Sequence, residues 1–341
     1  MAAKLVRTSP VIDLVVGSAL FRDTFVAGSR HGHVDLPRLK ASGTNVVGLT
    51  IATAWPDLRG SLSRWQFRSL GMPPAAVGSN MGIAEWLIER IRRWCSESDG
   101  QLQVIQSPAD LQACLVEGGP VGVCIGVQGG HVLDGDAGNI ARLWEAGIRM
   151  FAPAHVMDNA LVGSSTGRGA GGLTDYGRDV IVALEEQSII VDLSHMSLAG
   201  IAEALPALRR PFVMSHTGLT DIAGGRSRWR RYSPATRNIP ASVAAEVAAA
   251  GGLVGIVLST DLLGGSTLDA AVRAFSLAVE SCGEEHVAIG SDMDGALRTV
   301  IDIEGLPALA DALLGAGMPD ASVSDLLGLN AARMLRTAMP G

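Results

Sequence analysis

An α/β fold of the (β/α)8 TIM-barrel type is what this sequence predicts, and three observations carry the prediction. Eight short runs rich in Val and Ile recur along the 341 residues, separated by Ala, Leu, Glu and Arg stretches of helical periodicity. Near-continuous apolar runs are the mark of parallel strands covered on both faces, and such strands alternating with helices close readily into a barrel. No G-x-G-x-x-G follows the first run, so the competing open dinucleotide-binding sheet lacks its signature.

In order, the runs are VIDLVV (11–16), NVVGLTI (45–51), VGVCIGV (121–127) and RMFAPA (149–154). IIVDLS (189–194), PFVMS (211–215), GLVGIVLS (252–259) and HVAIGS (286–291) complete the set. No repeat, linker or low-complexity stretch interrupts them, so residues 1–341 are expected to form one barrel domain.

Composition narrows the function. Hydrophobic residues make up 48% and charged residues 18%, enough for a large core that Ala, Val, Leu and Ile must fill, since aromatics are only 4%. A net charge of −7 speaks against nucleic acid or an acidic membrane surface as partner. Four cysteines without C-x-x-C spacing suggest reduced thiols in a cytoplasmic protein. The opening MAAKLVRTSPVIDLVVGSAL is broken by Asp13 and does not read as a signal peptide, and no stretch is long enough to span a bilayer.

Barrel chemistry gathers where strands end at the C-terminal face. Here Gln128, His155, His195, His216 and Asp292 each end an apolar run. One histidine in such a place is ordinarily a hydrogen-bonded structural residue; three with an aspartate on the same rim point to a functional site. SRHGHVDLP (29–37) poses a separate question, since H-x-D can place two metal ligands on one side of a strand. Its surroundings are too polar and Gly-rich for a barrel wall, so His31, His33 and Asp35 are expected to lie in a polar loop.

The pieces SPVID, HVDLPRL, GVQGGH, AGIRMFAPAH, GLTDYGRDVI, VDLSHMS, FVMSHTG, TRNIP, GSDMDG and LGLNAARML occur in order across nearly the whole chain. Together they resemble the renal (membrane) dipeptidase family, M19 metallopeptidases of the amidohydrolase superfamily. The resemblance implies a metallo-dependent-hydrolase barrel with two zinc ions, ligated by an H-x-D pair directly after P-V-I-D-G, a bridging Glu and two histidines. It also implies a proton-handling Asp on the last strand and an Arg that takes the substrate carboxylate.

This sequence departs from that pattern at three positions. Val15 stands where the His belongs, Gly17 where the Asp belongs, and Gln128 where the bridging Glu belongs. Neither Val nor Gly offers a side-chain donor atom, and a neutral amide has one good acceptor oxygen and is a poor bridge. Asp13 shares the parity of Val15 but lies one pleat deeper, ~6–7 Å away, and cannot replace the missing ligand. Restoring Val15→His, Gly17→Asp and Gln128→Glu is expected to rebuild zinc binding.

What the resemblance still carries over is His195 and His216, with Gln128, as ligands for one zinc ion at most, or none. Asp292 matches the catalytic carboxylate, with a helix N-cap as its alternative use; Asp294 is expected to point outward in the loop. His155 matches a residue facing the oxygen that develops charge, and Arg237 matches the carboxylate-binding Arg. Arg226, Arg228, Arg230 and Arg231 lie in the same loop and would favour an anionic ligand.

Three functions are compatible with these residues. One is a dipeptidase-like enzyme with altered, metal-poor or metal-independent chemistry on a small amino-acid-derived or dipeptide-like carboxylate. A second is a single-zinc dipeptidase or amide hydrolase, and a third a non-catalytic ligand-binding pseudoenzyme. A homodimer is compatible with family analogy alone.

Overall fold

The computed structural model describes the chain apart from residues 1–4, 7, 22–23, 55–64, 170, 225–232 and 341. All eight apolar runs are strands: β1 (Ile12–Val16), β2 (Val46–Ala52), β4 (Val121–Gln128), β5 (Ile148–Ala152), β6 (Ile190–Val191), β7 (Val213–Thr217), β8 (Leu253–Ile256) and β9 (Val287–Ile289). A further strand, β3 (Leu102–Val104), pairs with β4 outside the barrel path. It escaped the sequence reading because LQV is short, polar at its centre and only half-buried.

The strands run parallel in the order β6-β5-β4-β2-β1-β9-β8-β7. Asp192, just beyond β6, bridges to Val213 of β7, and Leu193 N–H donates to the Val213 carbonyl at 2.8 Å. That bridge joins the two ends of the path. The result is the (β/α)8 barrel the sequence predicts.

Helices cover the outside, and their starts follow from side chains able to take orphaned N–H groups. Asp35 caps α1 (Leu36–Ala41) through Arg38 N–H at 3.0 Å, and Ser79 caps α2 (Asn80–Glu97). Ser107 and Asp110 form a capping box on α3 (Pro108–Leu115). Beyond these lie α4 (Asn139–Glu145), α5 (Asp175–Glu186), α6 (Leu198–Ala204), α7 (Ala241–Ala249), α8 (Leu268–Cys282), α9 (Leu306–Gly315) and α10 (Asn330–Ala338).

Burial divides the core in two. The larger cluster packs strands against helices, as with Leu49, Ile51, Val123, Ile125 and Phe151. The smaller fills the barrel from within, with Ile12, Val15, Val46, Cys124, Met150, Ile190, Val213 and Leu253, and α10 closes it through Ala331, Ala332 and Leu335. Each fully buried aliphatic side chain contributes ~1.5–3 kcal/mol, so this apolar floor gives the polar residues above it a rigid mount. Among the described residues no helix is long and apolar enough to cross a membrane.

Candidate active site

The polar residues that end the strands meet on one side of the barrel. His155 follows β5, His195 follows β6, and His216 lies in β7. The His155 and His195 rings stand edge-on with centroids 4.7 Å apart, and His195 and His216 with centroids 4.9 Å apart. His195 Nε2 and His216 Nε2 face each other at 3.0 Å. Arg237, in the short helical turn Pro234–Arg237, joins the group by donating from Nη2 to the His216 carbonyl at 2.9 Å.

Backbone irregularities place these side chains. The β7–β8 register shifts between Met214 and Thr217, and the displaced Ser215 carbonyl sits where a Cβ on Gly255 or Gly290 would collide with it. Glycine at both positions is therefore a steric requirement of the shift. His195, Asp292 and Asp294 have φ of 65°, 56° and 57°, in the left-handed region that side chains avoid. Strain of this kind persists where surrounding contacts over-determine the backbone, and it clusters at functional sites.

Electrostatics follow from burial. Desolvation pushes His155 down to about 3, with the Arg237 charge acting in the same direction. His195 and His216 are held well below the usual imidazole range by burial and then by Arg237. All three rings are therefore neutral at pH 7. Asp292 is raised to about 7 by burial and by Asp13, against the opposing pull of Arg237. Asp13 is itself raised to about 6 by burial despite hydrogen bonds from the Ser291 and Val15 backbone N–H groups.

Arg237 is only 1% exposed, its Nε finds no hydrogen-bond partner, and it makes no ion pair with a carboxylate among the described residues. A buried guanidinium with no carboxylate at ion-pair distance among the described residues, and only the more remote Asp292 acting on it, is costly unless an anion arrives. Gln128 ends β4 with a buried Nε2 that also lacks a hydrogen-bond partner among the described residues.

Val15 and Gly17 sit beside Asp292. Asp292 N–H donates to the Val15 carbonyl at 3.0 Å, and Gly17 N–H to the Met293 carbonyl at 2.8 Å. The Val15 side chain belongs to the apolar interior. A Cβ at Gly17 would lie 2.8 Å from both the Asp294 oxygen and the Gly295 Cα, so an aspartate there requires the 294–295 backbone to move.

The 31–35 loop behaves as a polar loop. Asp35 is spent on the α1 cap and on Arg38, and His33 Nδ1 lies 3.3 Å from an Asp294 carboxylate oxygen. Asp294 itself corrects the expectation of an outward side chain. It is 6% exposed and accepts from Ser18 Oγ at 2.7 Å and from the His33 and Val34 N–H groups at 2.8 and 3.3 Å. Those donors, all distant in sequence, turn it inward. Asp292 caps no helix, since the next helical turn begins only at Ile303. Arg226, Arg228, Arg230 and Arg231 lie outside the described residues.

The model of the membrane dipeptidase family, peptidase family M19, matches residues 1–339. The chain belongs to this family. A curated relative, dipeptidase verJ of Clonostachys rogersoniana, is 28% identical over 90% of the chain and 76% of its own length. Two solved structures share the fold. The probable dipeptidase PvdM from Pseudomonas aeruginosa has TM-score 0.82 at 17% identity, covering 99% of this chain and 97% of that one. A metallo peptidase from Rhodobacter sphaeroides, liganded with a phosphinate mimic of the dipeptide L-Ala-D-Ala, has TM-score 0.77 at 22% identity, covering 97% and 99%.

Zinc is the metal this M19 membership implies, and the residues can be tested against it. Two Zn–N bonds of ~2.0–2.1 Å at a tetrahedral angle hold their nitrogens ~3.3 Å apart. The His195 and His216 nitrogens, at 3.0 Å, converge on one such point. No group of three or more His, Cys, Asp or Glu side chains is placed to hold a metal ion among the described residues. Val15 and Gly17 carry no side-chain donor atom for a metal.

Asp192 and Ser215 lie in the runs IIVDLS and PFVMS, where nothing in the local sequence assigns them a role. Both prove to be hydrogen-bonded behind His216. A polar residue directly preceding a strand-end histidine, as in MSH, was the available signal.

Proposed function

We propose that this M19 protein is a metal-poor enzyme that acts on a small amino-acid-derived or dipeptide-like carboxylate by proton transfer. Arg237 carries the reading: a buried cation without an ion-pair partner among the described residues, beside neutral imidazoles and a titrating carboxylate, is a seat for a substrate anion. Its guanidinium would take the carboxylate through two parallel hydrogen bonds.

Asp292, raised to about 7, sits where a general base works best at neutral pH. It would remove a proton from the bound molecule. His155 is neutral and hydrogen-bonded to the Ala54 backbone, and would face the oxygen on which charge develops. Isomerisation or elimination needs only these groups. Val15, Gly17 and Gln128 in the positions of the first ion's ligands support chemistry that does not depend on two zinc ions.

A second reading, a single-zinc amide hydrolase, is favoured by the convergence of His195 and His216, with Gln128 as a weak third ligand. Metal analysis of the purified protein with a dipeptide panel separates the two. The first reading expects well under one zinc per chain and negligible peptide hydrolysis. One zinc with chelator-sensitive hydrolysis selects the second, and two zinc with ordinary dipeptidase turnover overturns both.

A further inference from the structure

Behind the imidazoles lies a hydrogen-bonded chain to which the proposed reaction gives no role. Asp192 Oδ1 accepts the Ser194 and Ser215 backbone N–H groups, each at 2.9 Å. Its other oxygen accepts from Ser215 Oγ at 2.5 Å. Ser215 Oγ also lies 2.9 Å from His216 Nδ1 and 3.1 Å from Ser194 Oγ, and Ser194 Oγ accepts the His216 N–H at 3.0 Å. Every member is buried: Asp192 is 2% exposed, Ser194 1%, and Ser215 and His216 0%.

We infer that Asp192 and Ser215 are positioning residues that hold His216 in its Nδ1–H tautomer, so that its bare Nε2 lone pair faces His195 and the site.

Counting protons gives the direction. A carboxylate only accepts, so the single Ser215 hydroxyl proton goes to Asp192. Ser215 Oγ must then accept from both remaining neighbours, and its two lone pairs match them: the Ser194 hydroxyl and His216 Nδ1–H. The proton on His216 is thereby placed at Nδ1 and none remains for Nε2. Across the 3.0 Å contact, His195 Nε2 has to be the donor, which leaves His195 Nδ1 bare. That nitrogen is buried and has no partner among the described residues.

The two imidazoles are consequently unequal. His216 presents a lone pair backed by a hydroxyl and a carboxylate, the usual way an imidazole is aimed at a proton or a cation. His195 has no such backing. To free its own Nε2 it must carry a proton at Nδ1, where no acceptor waits among the described residues. The inference holds whichever reaction the site performs, so its failure would leave the proposed function standing.

The test is a long-range proton–nitrogen correlation spectrum of the full-length labelled protein as purified, with metal content measured on the same sample. Loss of one signal set in H216Q assigns His216. The wild type should show His216 as Nδ1–H alone, since neither a donor at His195 nor a cation at Nε2 alters that. In D192N the amide oxygen keeps the two backbone N–H bonds, so its NH2 must face Ser215. Ser215 then donates to His216 Nδ1, and the tautomer should reverse to Nε2–H. A merely structural role predicts no such reversal. An Nε2–H signal in the wild type, or an unchanged Nδ1–H signal in folded D192N stripped of metal, overturns the inference. Where near-ultraviolet circular dichroism shows D192N unfolded, S215A decides: a mixed tautomer supports the inference, and an undiminished Nδ1–H signal overturns it.

Discussion

At the scale of single residues, Asp292 and Arg237 divide the proposed work. Asp292→Asn removes the base and should lower kcat by ~10²–10⁴-fold while changing KM little. In the wild type, kcat/KM should rise with pH through about 7, as the buried carboxyl loses its proton. The variant should lack that limb, and a pH–rate profile on both proteins checks it. Arg237→Lys keeps the charge but loses the fork and should raise KM for carboxylate substrates by roughly 10–100-fold. Amidated analogues should show a much smaller difference, and equal losses for both would remove Arg237 from substrate binding.

At the scale of elements, the junction of β1 with the loop after β9 decides how readily donor side chains can be introduced at positions 15 and 17. Gly17 touches the Asp294–Gly295 backbone, so Gly17→Asp should cost ~1–3 kcal/mol in urea unfolding through overpacking. Val15→His with Gln128→Glu avoids that contact, and its metal content measured beside the triple variant reads the cost of position 17. His33→Ala should leave metal content unchanged, because His33 pairs with Asp294 rather than facing an ion. A loss of bound zinc in this variant would restore the 31–35 loop as a ligand source. Asp294→Ala, which strands Ser18 Oγ and two backbone N–H groups, should lose several times the stability that His33→Ala does.

For the whole molecule, burying titratable groups ties stability to pH. Asp292 and Asp13 are raised from 3.8 to about 7 and about 6, so the folded state holds more protons than the unfolded chain between those values. Their contribution is complete below about pH 4 and is lost as pH rises through 6 and 7. His155, lowered from 6.5 to about 3, contributes above pH 6.5 and loses that stability as pH falls toward 3. Asp292→Asn should therefore gain stability over the wild type at about pH 8 and much less at about pH 5, read from urea midpoints. A constant difference at both pH values would mean that Asp292 does not titrate in the folded protein. Greater stability with lost activity is the exchange expected at a strained site.

Much of this was legible in the chain because burial patterns are local. Apolar runs marked eight strands, and their polar last residues marked the rim, since a barrel wall covered on both faces can be written only in Val, Ile and their kind. The donor-free residues at 15 and 17 and the neutral amide at 128 needed no structure either, being facts of side-chain chemistry. Tertiary structure alone decided the rest. The inward turn of Asp294, the steric seal at Gly17 and the Asp192–Ser215–His216–His195 chain each join residues far apart in sequence. Periodicity reports which way a side chain points, whereas a hydrogen bond across a barrel depends on which strands the closed sheet brings together and on the register in which it does so.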